Sequence, residues 1–255
     1  MNRIIAVANQ KGGVGKTTTA INLSACLAEQ GKRVLAIDID PQGNMTSGLG
    51  VDKDEVENTV YELLLGECPA ADCVMSTVCD NLDLIASNVN LAGAEIELIG
   101  IDKREFLLRN AVAAVTKQYD FIIIDCPPSL SMLTINAMTT ASTVLVPIQC
   151  EFYALEGLSQ LMYTIDLVRS RLNPKLKIEG VVFTMYDSRT NLSMQVVENV
   201  RGNLKQNIYR TIIPRNVRLA EAPSHGLPIH MYEGRSSGAI AYRKLAKEII
   251  DNIID

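Results

Sequence analysis

Short, continuous apolar runs alternate with longer amphipathic stretches along almost the whole chain. Ile4–Val7 reads as a buried strand and Thr18–Gln30 as a helix. Arg33–Asp38 is the next strand, opening into an acidic loop, Asp38–Asn44. Residues 45–120 are less regular, with a helix predicted at Val60–Leu65, a strand at Leu82–Ala86 and a helix around Lys103–Thr116. Tyr119–Asp125 then sets four apolar residues before an aspartate. Strands at Thr143–Ile148 and Ile178–Thr184 flank a long helix, Leu155–Leu172. A final helix, Ala239–Ile254, gathers Leu245, Ile249, Ile250, Ile253 and Ile254 on one stripe that suits packing on a sheet. Strands that are apolar throughout are covered on both faces, so the pattern predicts an α/β fold with a mostly parallel twisted sheet. No repeat, low-complexity tract or linker interrupts the 255 residues, and a single domain over 1–255 is expected.

Composition narrows the setting. No hydrophobic run is long enough to span a bilayer, and Met1-Asn-Arg-Ile-Ile-Ala-Val lacks the cleavage pattern of a signal peptide, so a cytoplasmic protein is expected. Six scattered cysteines (26, 68, 73, 79, 126 and 150) then read as buried hydrophobes or free thiols. The net charge of −5 argues against indiscriminate nucleic-acid binding by the whole surface. The charge is uneven, however: residues 169–218 hold ten basic and three acidic residues. That stretch is either an ordinary solvated face or a surface for DNA or RNA.

The strongest chemical signal lies between the first strand and helix, in Gln10-Lys-Gly-Gly-Val-Gly-Lys-Thr-Thr18. A glycine-rich turn from strand to helix aims backbone N–H groups and the positive end of a helix dipole at one point, which makes an anion site. Gly12, Gly13 and Gly15 would let the backbone close on a phosphate, Lys16 would reach the β- and γ-phosphates, and the Thr17 hydroxyl would ligate Mg²⁺. The usual spacing asks for a glycine where this chain has Gln10, with a second lysine, Lys11, beside it. On the loop alone, Lys11 reads equally as a phosphate contact or a surface charge. Ligands of open parallel sheets sit beyond the carboxyl ends of the strands, which would unite this loop with Asp38–Asn44 and Asp125–Ser129. Asp125 is then a Walker-B-type acid holding Mg²⁺ directly or through water. Asp40 is placed to orient an attacking water and Asp38 to assist the metal, unless either caps the Pro41 turn.

KGGVGKTTT, DIDPQGN, FIIIDCPPS and PRNVRLAEAPSHG, in this order and together with QCEFYALEGLSQL, resemble the ParA/MinD group of deviant-Walker P-loop ATPases. Within it the resemblance is to chromosomal ParA proteins of the Soj type, from Ile4 to the final helix. It implies a P-loop NTPase fold and an ATP- and Mg²⁺-dependent enzyme, slow without a partner. Lys11 would be the lysine that reaches the other subunit's phosphates in a nucleotide-sandwich homodimer. Gly12, Gly13, Val14, Gly15, Lys16, Thr17 and Thr18 would cradle the nucleotide, Asp40 would position water, and Pro214 and Asn216 would hold adenine.

The same resemblance implies that the ATP-bound dimer binds double-stranded DNA without sequence preference through Arg189 and Arg218, giving a nucleoid-associated protein. Arg201, Lys205 and Arg210 read equally as further DNA contacts or solvated charge. A ParB-like centromere-binding partner would stimulate hydrolysis and release, with chromosome or plasmid segregation as the outcome and a possible influence on replication initiation. A MinD-like regulator on the membrane surface is the alternative; the mixed-charge final helix argues against membrane contact. An iron–sulfur electron donor would need a convincing second cysteine ligand besides Cys126, and no acceptor pocket suggests a metabolic kinase.

Overall fold

The computed structural model describes residues 2–151, 154–204 and 206–252. In chain order its elements are β1 (Arg3–Val7), α1 (Lys16–Glu29), β2 (Val34–Asp38), α2 (Asn44–Gly48), α3 (Val60–Leu65), α4 (Ala70–Cys73), β3 (Val74–Ser76), β4 (Leu82–Ile85), α5 (Leu91–Glu97) and α6 (Leu107–Val112). They continue as β5 (Phe121–Asp125), α7 (Met132–Thr140), β6 (Thr143–Gln149), α8 (Ala154–Arg171), β7 (Lys177–Tyr186), α9 (Asn191–Asn203), β8 (Ile208–Pro214), α10 (Val217–Glu221), α11 (Ile229–Tyr232) and α12 (Ser237–Asp251). One eight-stranded sheet runs in the order β3-β4-β2-β5-β1-β6-β7-β8. Every pairing is parallel except β3 with β4 at one edge.

Alternation along each strand explains why the central runs are apolar at every position. Leu35, Ile37, Ile122, Ile124, Val144 and Val146 join one core beneath α3 and α5–α9. Their strand neighbours Ile5, Val7, Ala36, Ile123 and Leu145 join the other, beneath α1, α2 and α10–α12. Both sheet faces are therefore dry, as a parallel α/β sheet requires. The stripe on α12 behaves as expected: Leu245 and Ile249 are buried against α1 and β8. Ile253 and Ile254 lie outside the described residues.

Several elements differ from the sequence reading. The first helix starts at Lys16 rather than Thr18, because Gly15 at φ +85° is already its N-cap. The helix expected over Lys103–Thr116 is broken into a 3₁₀ turn at Arg104–Phe106, α6, and a second 3₁₀ turn at Thr116–Gln118. Lys103 takes a left-handed φ of +54°, and Asn136 on α7 intrudes. Its Oδ1 accepts from the Leu108 N–H (3.1 Å) and its Nδ2 donates to the Arg104 carbonyl (2.8 Å). The third difference is an addition: β8, whose alternating Ile208-Tyr-Arg-Thr-Ile was not picked out, extends the sheet and carries Pro214. All six cysteines are free and buried.

Candidate nucleotide site

The loop between β1 and α1 rises from the carboxyl edge of the sheet. Gly13 and Gly15 adopt φ +74° and +85°, conformations that cost an L side chain about 1–2 kcal/mol each. Gly12 has no positive φ and nothing within 4 Å of the place a Cβ would take, so only a ligand lying on the backbone would call for glycine there. The first helical bond of α1 runs from the Thr19 N–H to the Gly15 carbonyl (2.9 Å), and no side chain caps the helix. The N–H groups of Lys16, Thr17 and Thr18 thus precede the intrahelical ladder, as an anion site needs. Val14 is buried, and its carbonyl accepts from the Thr184 hydroxyl at 2.8 Å, which pins the loop to the end of β7.

Lys16 is buried and its ammonium donates to the Lys11 carbonyl at 2.9 Å, so the loop closes on its own lysine. Burial pulls the Lys16 pKa down, while the charges of Asp125, Cys126 and Asp40 pull it back up. Lys11 points elsewhere: its ammonium is ion-paired with Glu151, just past β6.

Register brings the acids together. Asp125 ends β5 opposite Val7 on one side and Asp38 on the other. It is fully buried, and neither carboxylate oxygen meets hydrogen-bond geometry with any group among the described residues. Burial first, and the nearby Asp38 second, push its pKa well above the carboxylate range, with the Thr17 side chain and Lys16 offsetting part of the shift. An orphaned buried carboxyl beside a threonine hydroxyl at the foot of a phosphate loop fits a divalent cation, which supplies the positive charge that burial makes necessary. The residues present therefore suit Mg²⁺.

Asp38 and Asp40 divide the alternatives left open above. Asp38 is fully engaged: one oxygen accepts from the Asp40 N–H (3.1 Å), the other from the Thr46 N–H (2.9 Å) and hydroxyl (2.8 Å). It builds the turn into α2. Asp40 accepts from the Gln42 N–H through Oδ1 (3.0 Å), and its carbonyl accepts from Ser87 (2.8 Å). Among the described residues, one of its carboxylate oxygens is thus committed to the turn. Thr46, Ser87 and Glu151 carry no motif of their own: Thr46 meets Asp38 across a turn, and Ser87 and Glu151 meet Asp40 and Lys11 from distant segments.

Pro214 closes β8, and the Tyr186 register partner places it beside the end of β7. Asn216 caps α10, accepting from the Arg218 N–H (2.8 Å) and donating to the Ser237 hydroxyl (2.7 Å). Arg189, in the loop after β7, and Arg218, in α10, are exposed, each held by a carboxylate. Arg189 makes a two-pronged pair with Asp187 (2.7 and 2.9 Å), and Arg218 pairs with Glu221 (2.8 Å). Arg201 and Arg210 are exposed farther along α9 and β8; Lys205 lies outside the described residues. The expected nucleotide-site residues, with Arg189 and Arg218, sit at or beyond the carboxyl edge of one sheet, whereas Arg201 lies near the end of α9 and Arg210 near the start of β8.

Fold and site together define a P-loop NTPase. A family model for an AAA domain, AAA_31, matches residues 2–178. The chain is 57% identical over 252 residues to the sporulation initiation inhibitor protein Soj of Bacillus subtilis, covering 99% of this chain and 100% of that one. It is 52% identical to the chromosome partitioning protein ParA of Myxococcus xanthus, covering 98% and 88%. Among solved structures, cobyrinic acid a,c-diamide synthase of Mycobacterium smegmatis, with a bound ATP analog and magnesium, superposes with a TM-score of 0.87. It is 41% identical, over 98% of this chain and 95% of that one. The chain belongs to the ParA/MinD family of deviant-Walker ATPases, in its Soj/ParA chromosome-partitioning branch.

Proposed function

We propose that the protein is an ATP-driven partitioning switch: Mg·ATP joins two copies into a dimer that binds duplex DNA without sequence preference, and hydrolysis releases it. The observation that carries this reading is the buried, unpartnered Asp125 beneath a phosphate loop whose lysine is already drawn inward. Backbone N–H groups from Gly12 to Thr18 and the Lys16 ammonium hold the phosphates, and Thr17 and Asp125 would hold the metal. Mg²⁺ would supply charge neutralisation at the phosphates. Asp40 orients the water that attacks the γ-phosphate, and Pro214 and Asn216 flank the adenine. Lys11 reaches the phosphates of the second copy, so a stable dimer needs the triphosphate.

Arg189 and Arg218 contact DNA phosphates, and pairing two subunits doubles the contacts. A ParB-like partner accelerates an otherwise slow hydrolysis. The chain is more similar to a relative named for chromosome partitioning (52%) than to the synthase-named structure (41%), which favours partitioning over small-molecule chemistry. An electrophoretic shift on arbitrary duplex DNA with ATP, ADP or no nucleotide tests the reading. Retardation with ATP alone is expected; equal retardation in all three, or none, refutes the switch.

A further inference from the structure

Two of the six cysteines touch through their sulfurs. The Cys73 thiol donates to the Cys68 sulfur at 3.0 Å, and the Cys68 thiol donates in turn to the Pro69 carbonyl at 3.4 Å. Cys79 lies instead against the Met231 sulfur (3.4 Å), and Cys126 against the Ile124 carbonyl (3.9 Å).

The pair sits at one corner of the fold. Cys68 lies in the short connection between α3 and α4, and Cys73 is the last residue of α4, directly before β3. That strand is three residues long, antiparallel, and lies at the outer edge of the sheet with β4 as its neighbour. Both cysteines belong to the core beneath α3, yet they differ in access: Cys68 is 9% exposed and Cys73 is fully buried.

This difference gives each sulfur its own part. A thiol within reach of a small oxidant becomes a sulfenic acid, and a second thiol in contact with it condenses to a disulfide. Cys68 has the opening to solvent. Burial, and then the hydrogen bond to Cys68, push the Cys73 thiol up to about 12, so it keeps its proton and makes a poor first target. Bonded sulfurs stand about 2.05 Å apart, so the two must approach by about 1 Å. Between Gly66, which ends α3, and Pro69, which precedes α4, Cys68 belongs to no helix or strand. That turn, rather than the sheet, can supply the movement.

We propose that Cys68 and Cys73 form a dithiol modification site, which a peroxide oxidises to a disulfide that staples the α3–α4 turn to the root of the edge strand β3. The Cys68 sulfur takes one oxygen from hydrogen peroxide, giving a sulfenic acid and one water. The Cys73 sulfur then bonds to it and displaces the hydroxyl, which leaves with the Cys73 proton as a second water. The two thiols lose two electrons and two protons, and the peroxide is reduced to water; a dithiol reductant reverses the change. Tethered at its first neighbour, β3 frays less readily from β4.

The full chain is exposed to a small molar excess of hydrogen peroxide, cleared of it with catalase, unfolded in iodoacetamide and digested with trypsin. Peptide 54–103 carries Cys68, Cys73 and Cys79. It should be alkylated once, at Cys79, and should lack the two thiol hydrogens of the other pair; dithiothreitol before alkylation should restore all three. In Cys73→Ser, dimedone should trap a sulfenic acid on Cys68, whereas in Cys68→Ser the Cys73 thiol should stay unoxidised. Cys79→Ser should form the disulfide as the parent does. Amide exchange at Val74–Ser76 should slow several-fold on oxidation and recover on reduction. Three alkylations after peroxide, a bond that includes Cys79, or a dimedone adduct on Cys73 in place of Cys68 overturns the site. A disulfide that leaves exchange in β3 unchanged overturns the staple.

Discussion

Lys11 and Asp40 are each engaged within the chain, Lys11 with Glu151 and Asp40 with the Gln42 N–H, and each is proposed for a second use. The ion pair between Lys11 and Glu151 joins groups about a third exposed, so it is worth no more than about 1 kcal/mol, and a phosphate from a second subunit outbids it readily. Lys11→Ala should therefore leave nucleotide affinity within about twofold while abolishing ATP-dependent dimerisation in light scattering. Dimers of normal stability in that variant would remove Lys11 from the interface. Asp40 needs a paired test because one oxygen caps a turn. Asp40→Asn keeps an acceptor for Gln42, whereas Asp40→Ala does not. Both should stop ATP turnover and trap the protein on DNA, and only Asp40→Ala should also lower the melting temperature. Turnover retained in Asp40→Asn sinks the water-positioning role. The Lys16-Thr17 pair and Asp125 were legible from residue type and order. The partners that specify Asp38 were not, because Thr46 acts across a turn that only the folded sheet closes.

At the scale of elements, the join between β1 and α1 combines backbone conformation with chemistry. Gly15→Ala would place its Cβ in ordinary contact with Thr184, 3.7 Å from Cγ2, so the penalty is conformational rather than steric. At about 1–2 kcal/mol for an alanine at φ +85°, the melting temperature should fall by roughly 2–8 °C. ATP affinity should fall further than stability does, since the same rotation turns the leading N–H groups of α1 away from their target. A variant with parental affinity, read by calorimetry, would show that the left-handed turn serves folding alone. The strands at the sheet centre were readable because burial on both faces leaves no polar alternation to misassign, as Ile122–Ile124 illustrate. The interrupted helix at 104–118 was not readable. Its break is imposed by Asn136, about thirty residues downstream, and no local propensity encodes a cap delivered from another helix.

At the scale of the molecule, the groups expected to handle ligand crowd the carboxyl edge of the sheet, yet the two arginines expected to meet DNA are each paired with a carboxylate two or three residues away. Arg218 is held by Glu221 at 2.8 Å, and Glu221 also accepts from the Tyr232 hydroxyl at 3.2 Å. Arg189 holds the Asp187 carboxyl well below the usual carboxylate range. Under the proposed function a DNA phosphate would have to displace or share these partners, so the carboxylates would set how tightly an ATP-bound dimer grips. Arg189→Ala and Arg218→Ala should weaken duplex binding and flatten its salt dependence by about 0.9 per lost phosphate contact, with dimerisation spared. Glu221→Gln should do the reverse, because it keeps the acceptor for Tyr232 but removes the competing charge. Affinity should rise and the salt dependence steepen in the same titration. The opposite signs matter, since damage to the fold lowers affinity in every variant, whereas a carboxylate acting as a brake raises it in this one alone. Equal affinity in Glu221→Gln and the parent, at salt low enough for the charges to interact, would mean that Arg218 does not meet the backbone at all.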